Sequence, residues 1–187
     1  GKHYDVYVLD VRGRGLSQAC DDLDYGREAC ADDVGAFAEA MHLKDYVYLG
    51  HSMGARIGCL AGRKYGHRIA SMILVDPPVS GPGRAPYPAT IDWYINSIRL
   101  AIQGMDLEQM RGFCPTWSDD HLRTRAEWLH TCNEAAIIRS FNDLNSDDIH
   151  ADMPHLSMPV LLMAAGRGGV IRPADMDEIR QLVPHLR

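Results

Sequence analysis

No CxxC pair occurs, and the cysteines (Cys20, Cys30, Cys59, Cys114 and Cys132) are odd in number. That argues against a disulfide framework or a zinc knuckle, and it points to a reducing, cytoplasmic compartment. The nine histidines form no HExxH or other compact ligand pattern, so neither a metal nor another cofactor is expected. No run is long and apolar enough to cross a membrane. There is no internal repeat and no low-complexity segment. An excess of positive charge is lacking as well: the formal net charge is −6, which speaks against a general nucleic-acid surface. Arg12 and Arg14 are a local exception, read equally well as a small-anion site or a solvated loop. The first residues do not read as a signal peptide, since they lead almost at once into a predicted strand. A chain that begins inside an element, without Met, is expected to be part of something longer, truncated at both ends.

What is present is a globular composition, 46% hydrophobic and 24% charged over 187 residues, enough for one domain with an insertion. Tyr4 to Val11 reads as a buried strand ending in the turn Arg12-Gly13-Arg14-Gly15. Ala29 to Leu43 has helical spacing, Asp45 to Leu49 is β-prone, Met53 to Tyr65 is helical, and Ala70 to Val75 is again a strand. Alternating strands and helices, with nearly continuous apolar strands, predict an α/β fold: a mostly parallel sheet with helices on both faces. After Asp76 prolines and glycines crowd residues 77–88 and end regular structure. The stretch from about Thr90 to Ile149 reads as helical and holds Trp93, Trp117 and Trp128. Pro159 to Ala165 returns as a strand and Pro173 to Val183 as a helix. The expected organisation is a partial core over 1–79, a helical cap over 80–155, and a continuation of the core over 156–187 that is incomplete at its C-terminus.

Gly50-His51-Ser52-Met53-Gly54 fits the G-x-S-x-G elbow, and it lies between a predicted strand and a predicted helix, as that mechanism requires. Such a turn presents the Ser52 hydroxyl at the C-terminal edge of the sheet. It also aims the Met53 amide at a developing oxyanion. The blander reading makes Ser52 an ordinary helix cap. A serine nucleophile needs a histidine base oriented by a carboxylate. Asp76 ends the next predicted strand and so shares the rim with Ser52; otherwise it is a turn carboxylate before Pro77. The histidine is not evident. His51 adjoins the nucleophile but should point away. His3, His42 and His67 are expected in solvent, and His121, His130, His150 and His155 at the surface or in packing. His185 follows the last predicted helix, where a further strand should begin.

Leu9-Asp10-Val11-Arg12-Gly13-Arg14-Gly15-Leu16-Ser17 resembles the D-x-R-G-x-G-x-S loop of α/β hydrolases, and Gly-His-Ser-Met-Gly follows at the familiar distance. Residues 73–84, 116–119, 125–132 and 165–171 resemble more closely the bacterial N-formylmaleamate deformylases of nicotinate degradation. The resemblance covers most of the chain. It implies the α/β-hydrolase fold with a cap insertion, Ser52 as nucleophile, Asp76 as triad acid and a small carboxylate-bearing amide as substrate. It also implies earlier strands with an oxyanion loop, and a catalytic histidine beyond Arg187. Many relatives carry the acid in a Gly-x-x-Asp turn after the strand matching 159–165. Here that run is Gly166-Arg167-Gly168-Gly169, and Asp175 and Asp177 come later, so the acid role falls on Asp76.

Hydrolysis of a formyl amide carbon–nitrogen bond is the activity the resemblance implies. The scaffold alone also admits a small-substrate carboxylesterase, a lactonase, a C–C hydrolase or a ligand receptor without turnover. Trp93, Tyr94, Trp117 and Trp128 are candidates for an apolar cap wall, and Arg84, Arg111 and Arg125 for pairing with a substrate carboxylate. No oligomeric state follows from composition or periodicity.

Overall fold

The computed structural model describes residues 2–166 and 170–187. The chain divides into two compact units, one of residues 1–25 with 90–138, the other of residues 26–89 with 139–187.

The second unit is built on a parallel sheet. Strands β1 (Tyr46–His51), β2 (Ile69–Val75) and β3 (Val160–Met163) lie in the order β1-β2-β3. Parallel neighbours need a long crossover, and helix α2 (Met53–Tyr65), spanning the residues predicted for it, supplies the one between β1 and β2. The register places His51 opposite Val75 and Val75 opposite Met163, so the three strands end at one level. The Arg187 amide donates to the Val160 carbonyl and its carbonyl accepts from Leu162, both at 2.9 Å. Those are the two bonds of a parallel partner alongside β3, in the region where His185 led us to expect a strand. Helix α1 (Arg27–Ala40) ends three residues earlier than its periodicity predicts. The left-handed residues His42 and Asp45 then turn the chain into β1.

The core of this unit joins Ala55 and Cys59 of α2, Met72 and Leu74 of β2, Val160 of β3, and Ile149, Met153 and Leu156. Burial along β1 alternates: Gly50 is buried while Val47 and Leu49 are 50% and 64% exposed. A Cβ on Gly58 would overlap the Tyr48 ring, so this glycine lets strand and helix approach closely. The last helix, α7 (Pro173–Leu182), opens with Pro173 in its first turn, and Asp175 accepts from the Arg172 amide at 2.8 Å.

The first unit contains α3 (Ile91–Ile102), α4 (Leu107–Phe113) and α5 (Asp119–Trp128), and the boundary between units falls within α6 (Glu134–Ser146). Its core is Ile98, Ala101, Met110, Leu122 and Leu129, at helical spacing. Asp106 and Gln109 form a reciprocal capping box on α4 at 2.8 and 2.9 Å.

The helical unit is narrower than the 80–155 read from the sequence. Residues 80–89 and 139–155 cluster instead with the sheet, because Ile149 and Met153 are core side chains there. The strand expected over Tyr4 to Val11 does not form; the stretch has no regular structure, and Tyr4, Val6 and Val8 are 74%, 67% and 88% exposed. Apolar, β-prone residues favour a strand only where a ladder receives them, and the sheet order does not include this segment. The turn that follows is nonetheless well made. Asp10 accepts from the Leu16 amide at 3.0 Å, and Gly13 and Gly15 adopt φ of 76° and 59°. Arg12 and Arg14 donate to backbone carbonyls of Asp24, Arg12 and Ala136, so both serve the loop.

Among the described residues no helix is long and apolar enough to cross a membrane, and no cluster of His, Cys, Asp and Glu could hold a metal ion.

Candidate active site

Ser52 sits between β1 and α2 with φ 51° and ψ −116°, a conformation a non-glycine residue adopts only under constraint. The constraint is local. A Cβ on Gly50 would stand 2.5 Å from the Gly54 carbonyl oxygen and 2.8 Å from the Ala55 nitrogen, so the strand passes hard against the start of the helix. Gly54 behaves differently, since a Cβ there would meet nothing within 4 Å. Only the first glycine of the pair is sterically required. The Tyr48 hydroxyl donates to the Gly54 carbonyl at 2.7 Å and ties strand to helix across the turn.

The Ser52 amide donates to the Val75 carbonyl at 2.8 Å, and its carbonyl accepts from Ala55 and Arg56. Its side chain makes no capping hydrogen bond, so the helix-cap reading fails: the half-buried hydroxyl is not used by the helix. Met53, the first residue of α2, carries the amide read from the sequence as an oxyanion donor.

Asp76 follows β2 as Ser52 follows β1, and the residues before them, Val75 and His51, are register partners. Adjacent strands stand roughly 4.8 Å apart, which sets the two residues side by side on the C-terminal rim. Asp76 also has positive φ, 47°. Its amide donates to the Met163 carbonyl at 2.7 Å and its Oδ1 accepts from the Ala165 amide at 3.1 Å. The carboxylate is thereby fixed from the β3 side. Residues 167–169 of the alternative acid turn lie outside the described residues. Asp175 is engaged by Arg172 and Asp177 by Arg180.

Among the described residues no histidine hydrogen-bonds to Ser52 or Asp76. His51 is exposed, as are His3, His42, His67, His121, His130, His155 and His185. His150 is buried, with Nδ1 2.9 Å from Asp148 and Nε2 without a hydrogen-bond partner.

One residue that supports the site escaped sequence reasoning. Arg56 is 2% exposed and donates to four backbone carbonyls, those of Pro78, Ser80, Asp143 and Asp147, at 2.6 to 3.0 Å. It pins the loop that leaves Asp76 to the helix that leaves Ser52. Burial pulls its guanidinium down to about 10, with Arg27 adding repulsion, so it stays charged at neutral pH. A lone arginine among Ala55, Ile57 and Cys59 was the available signal. Burial pushes the neighbouring Cys59 thiol up to about 12, which keeps it protonated and unreactive.

The family model described as the alpha/beta hydrolase fold matches residues 1–187. N-formylmaleamate deformylase of Pseudomonas putida is 54% identical over 187 residues, covering all of this chain and 70% of the relative. The crystal structure of the N-formylmaleamic acid deformylase of Pseudomonas putida S16 superposes with a TM-score of 0.95 at 50% identity, over all of this chain and 73% of that one. A structure of E-2-(acetamidomethylene)succinate hydrolase shares the fold at 22% identity and a TM-score of 0.70, covering 95% of this chain and 69% of its own. The chain belongs to the alpha/beta hydrolase fold family, closely related to bacterial N-formylmaleamate deformylase.

Proposed function

We propose that this protein is a serine hydrolase that cleaves the formyl amide carbon–nitrogen bond of N-formylmaleamate to give maleamate and formate. The observation that carries the reading is the pair formed by Ser52 and Asp76. Both have left-handed φ, both follow register-paired strand ends, and the Ser52 hydroxyl is not used to cap α2. The 54% identity to the deformylase supports the choice of substrate.

Ser52 Oγ attacks the formyl carbon while its proton passes to a histidine base held in the right tautomer by Asp76. That base is assigned to none of the nine histidines of the sequence. The Met53 amide, at the positive end of α2, donates to the oxyanion. Collapse of the tetrahedral intermediate breaks the carbon–nitrogen bond, with the proton delivered to the leaving nitrogen. Water then hydrolyses the formyl-serine ester and releases formate. A cytoplasmic setting accords with the five unbonded cysteine thiols. The test is formate release from N-formylmaleamate by the protein and by Ser52→Ala. Equal release by both removes the nucleophile assignment, and faster turnover of small esters or lactones than of the formyl amide removes the substrate assignment.

A further inference from the structure

Of the three arginines nominated for a substrate carboxylate, two are taken. Arg84 forms a fork on the Glu178 carboxylate, both bonds 2.8 Å. Arg111 donates to Asp119 at 2.8 Å and lies 3.4 Å from Glu108. Arg125 is different. Among the described residues it makes no ion pair, and its Nε is buried with no hydrogen-bond acceptor. Its Cζ lies 5.3 Å from the centroid of the Trp93 ring and 5.8 Å from that of Trp117. All three residues belong to the helical unit.

Two indoles lie within about 6 Å of one guanidinium, near enough for their ring quadrupoles to attract the cation. Its N–H groups lie in the guanidinium plane and point outward from the edge, an arrangement suited to a planar carboxylate. A buried donor without an acceptor is rare in folded proteins, and here it shows that the chain leaves the Nε of this guanidinium unused. The surroundings supply positive charge and a neutral thiol. Arg14 and Arg125 both act on Cys132, whose thiol is kept protonated by burial. Trp93 is in turn braced edge-on by Tyr94 and Phe113, at 4.8 and 6.2 Å between centroids, which fixes one wall.

We propose that Arg125, beside Trp93 and Trp117, is a binding site for the carboxylate of a small organic acid. The site stands on its own geometry and not on the catalytic reading, although a carboxylate-bearing amide is the substrate class proposed above. The test is calorimetric titration of the full protein with maleamate and, as a neutral control, maleamide. Maleamate should bind at least about tenfold more tightly than maleamide. Arg125→Gln should remove that preference, and Arg125→Lys, which keeps the charge without the fork, should weaken it. Arg123→Gln, two residues away on another face of α5 and paired with Asp120, should leave it intact. Equal binding of acid and diamide by the wild type, no maleamate binding at all, or unchanged affinity in Arg125→Lys overturns the proposal, and Arg125→Lys covers the case in which Arg125→Gln does not fold. Arg125-dependent binding without formate release would instead leave the site standing and remove the deformylase reading.

Discussion

Arg56, buried in the sheet unit, and Arg125, half-buried in the helical unit, are arginines solved in opposite ways. Arg56 spends its guanidinium on four carbonyls of its own chain. Arg125 lies against two aromatic rings and leaves a buried N–H without an acceptor. A polar group that the fold satisfies completely is a structural fastener. One that the fold positions but does not satisfy is arranged for a partner. The same contrast separates Ser52, whose hydroxyl the helix does not use, from Ser118, whose hydroxyl accepts from the His121 amide at the start of α5.

The sharpest division between the two units comes from Ser52→Ala. It should lower kcat for formyl-amide hydrolysis by about 10³-fold or more. Thermal stability should barely move, and maleamate binding should persist. A substantial residual kcat would break the assignment of chemistry to the sheet rim.

Next in size are changes that attack the fasteners. Arg56→Met strands four buried carbonyls but also relieves the cost of burying a charge, so a net loss of about 3–5 kcal/mol is expected in denaturant titration. Arg125→Gln, by contrast, should cost no more than about 1 kcal/mol of stability. Equal destabilisation by both would erase the distinction between them. Gly50→Ala should fail to fold or lose about 3 kcal/mol or more, because its Cβ meets backbone that cannot yield. Gly54→Ala should change stability by less than about 1 kcal/mol, as the space there is open. The same melting curves decide both.

The smallest effect is one of pH. The hydrogen bonds from Arg172 hold the Asp175 carboxyl below its usual range in the folded protein. A depressed carboxylate stabilises the fold above its unfolded value of about 3.9, and that contribution disappears as the pH falls through the lower folded value. Asp175→Asn should therefore cost about 1 kcal/mol at neutral pH, as for a lost helix cap, and its deficit relative to wild type should begin to shrink below about pH 4 and vanish below the lower folded value. A deficit that is constant with pH would show that packing, not charge, is what Asp175 supplies.

Much of the architecture was legible because its signals are local. The elbow glycines, the small residues of α2 and the apolar runs of β1 to β3 each mark their own element. Asp76 could be placed because parallel strands that end together bring their following residues to one rim. The segment 4–11 was misread for a related reason: its composition is that of a strand, but a strand exists only through its neighbours, and neighbours are not written in the segment itself. Arg56 was passed over because its four acceptors lie 22 to 91 residues away in sequence.

By itself, the sequence determined the fold class and put forward the nucleophile candidate and the acid candidate beside it, since turn chemistry and the alternation of strands and helices follow from residue type and spacing. Only the tertiary structure decided that Gly50 and not Gly54 is sterically required. It alone decided that Ser52 leaves its helix uncapped, and that Arg84 and Arg111 are occupied while Arg125 is not. Those facts depend on which distant groups fill the space around a side chain, and hydrogen-bond satisfaction is a property of that three-dimensional neighbourhood.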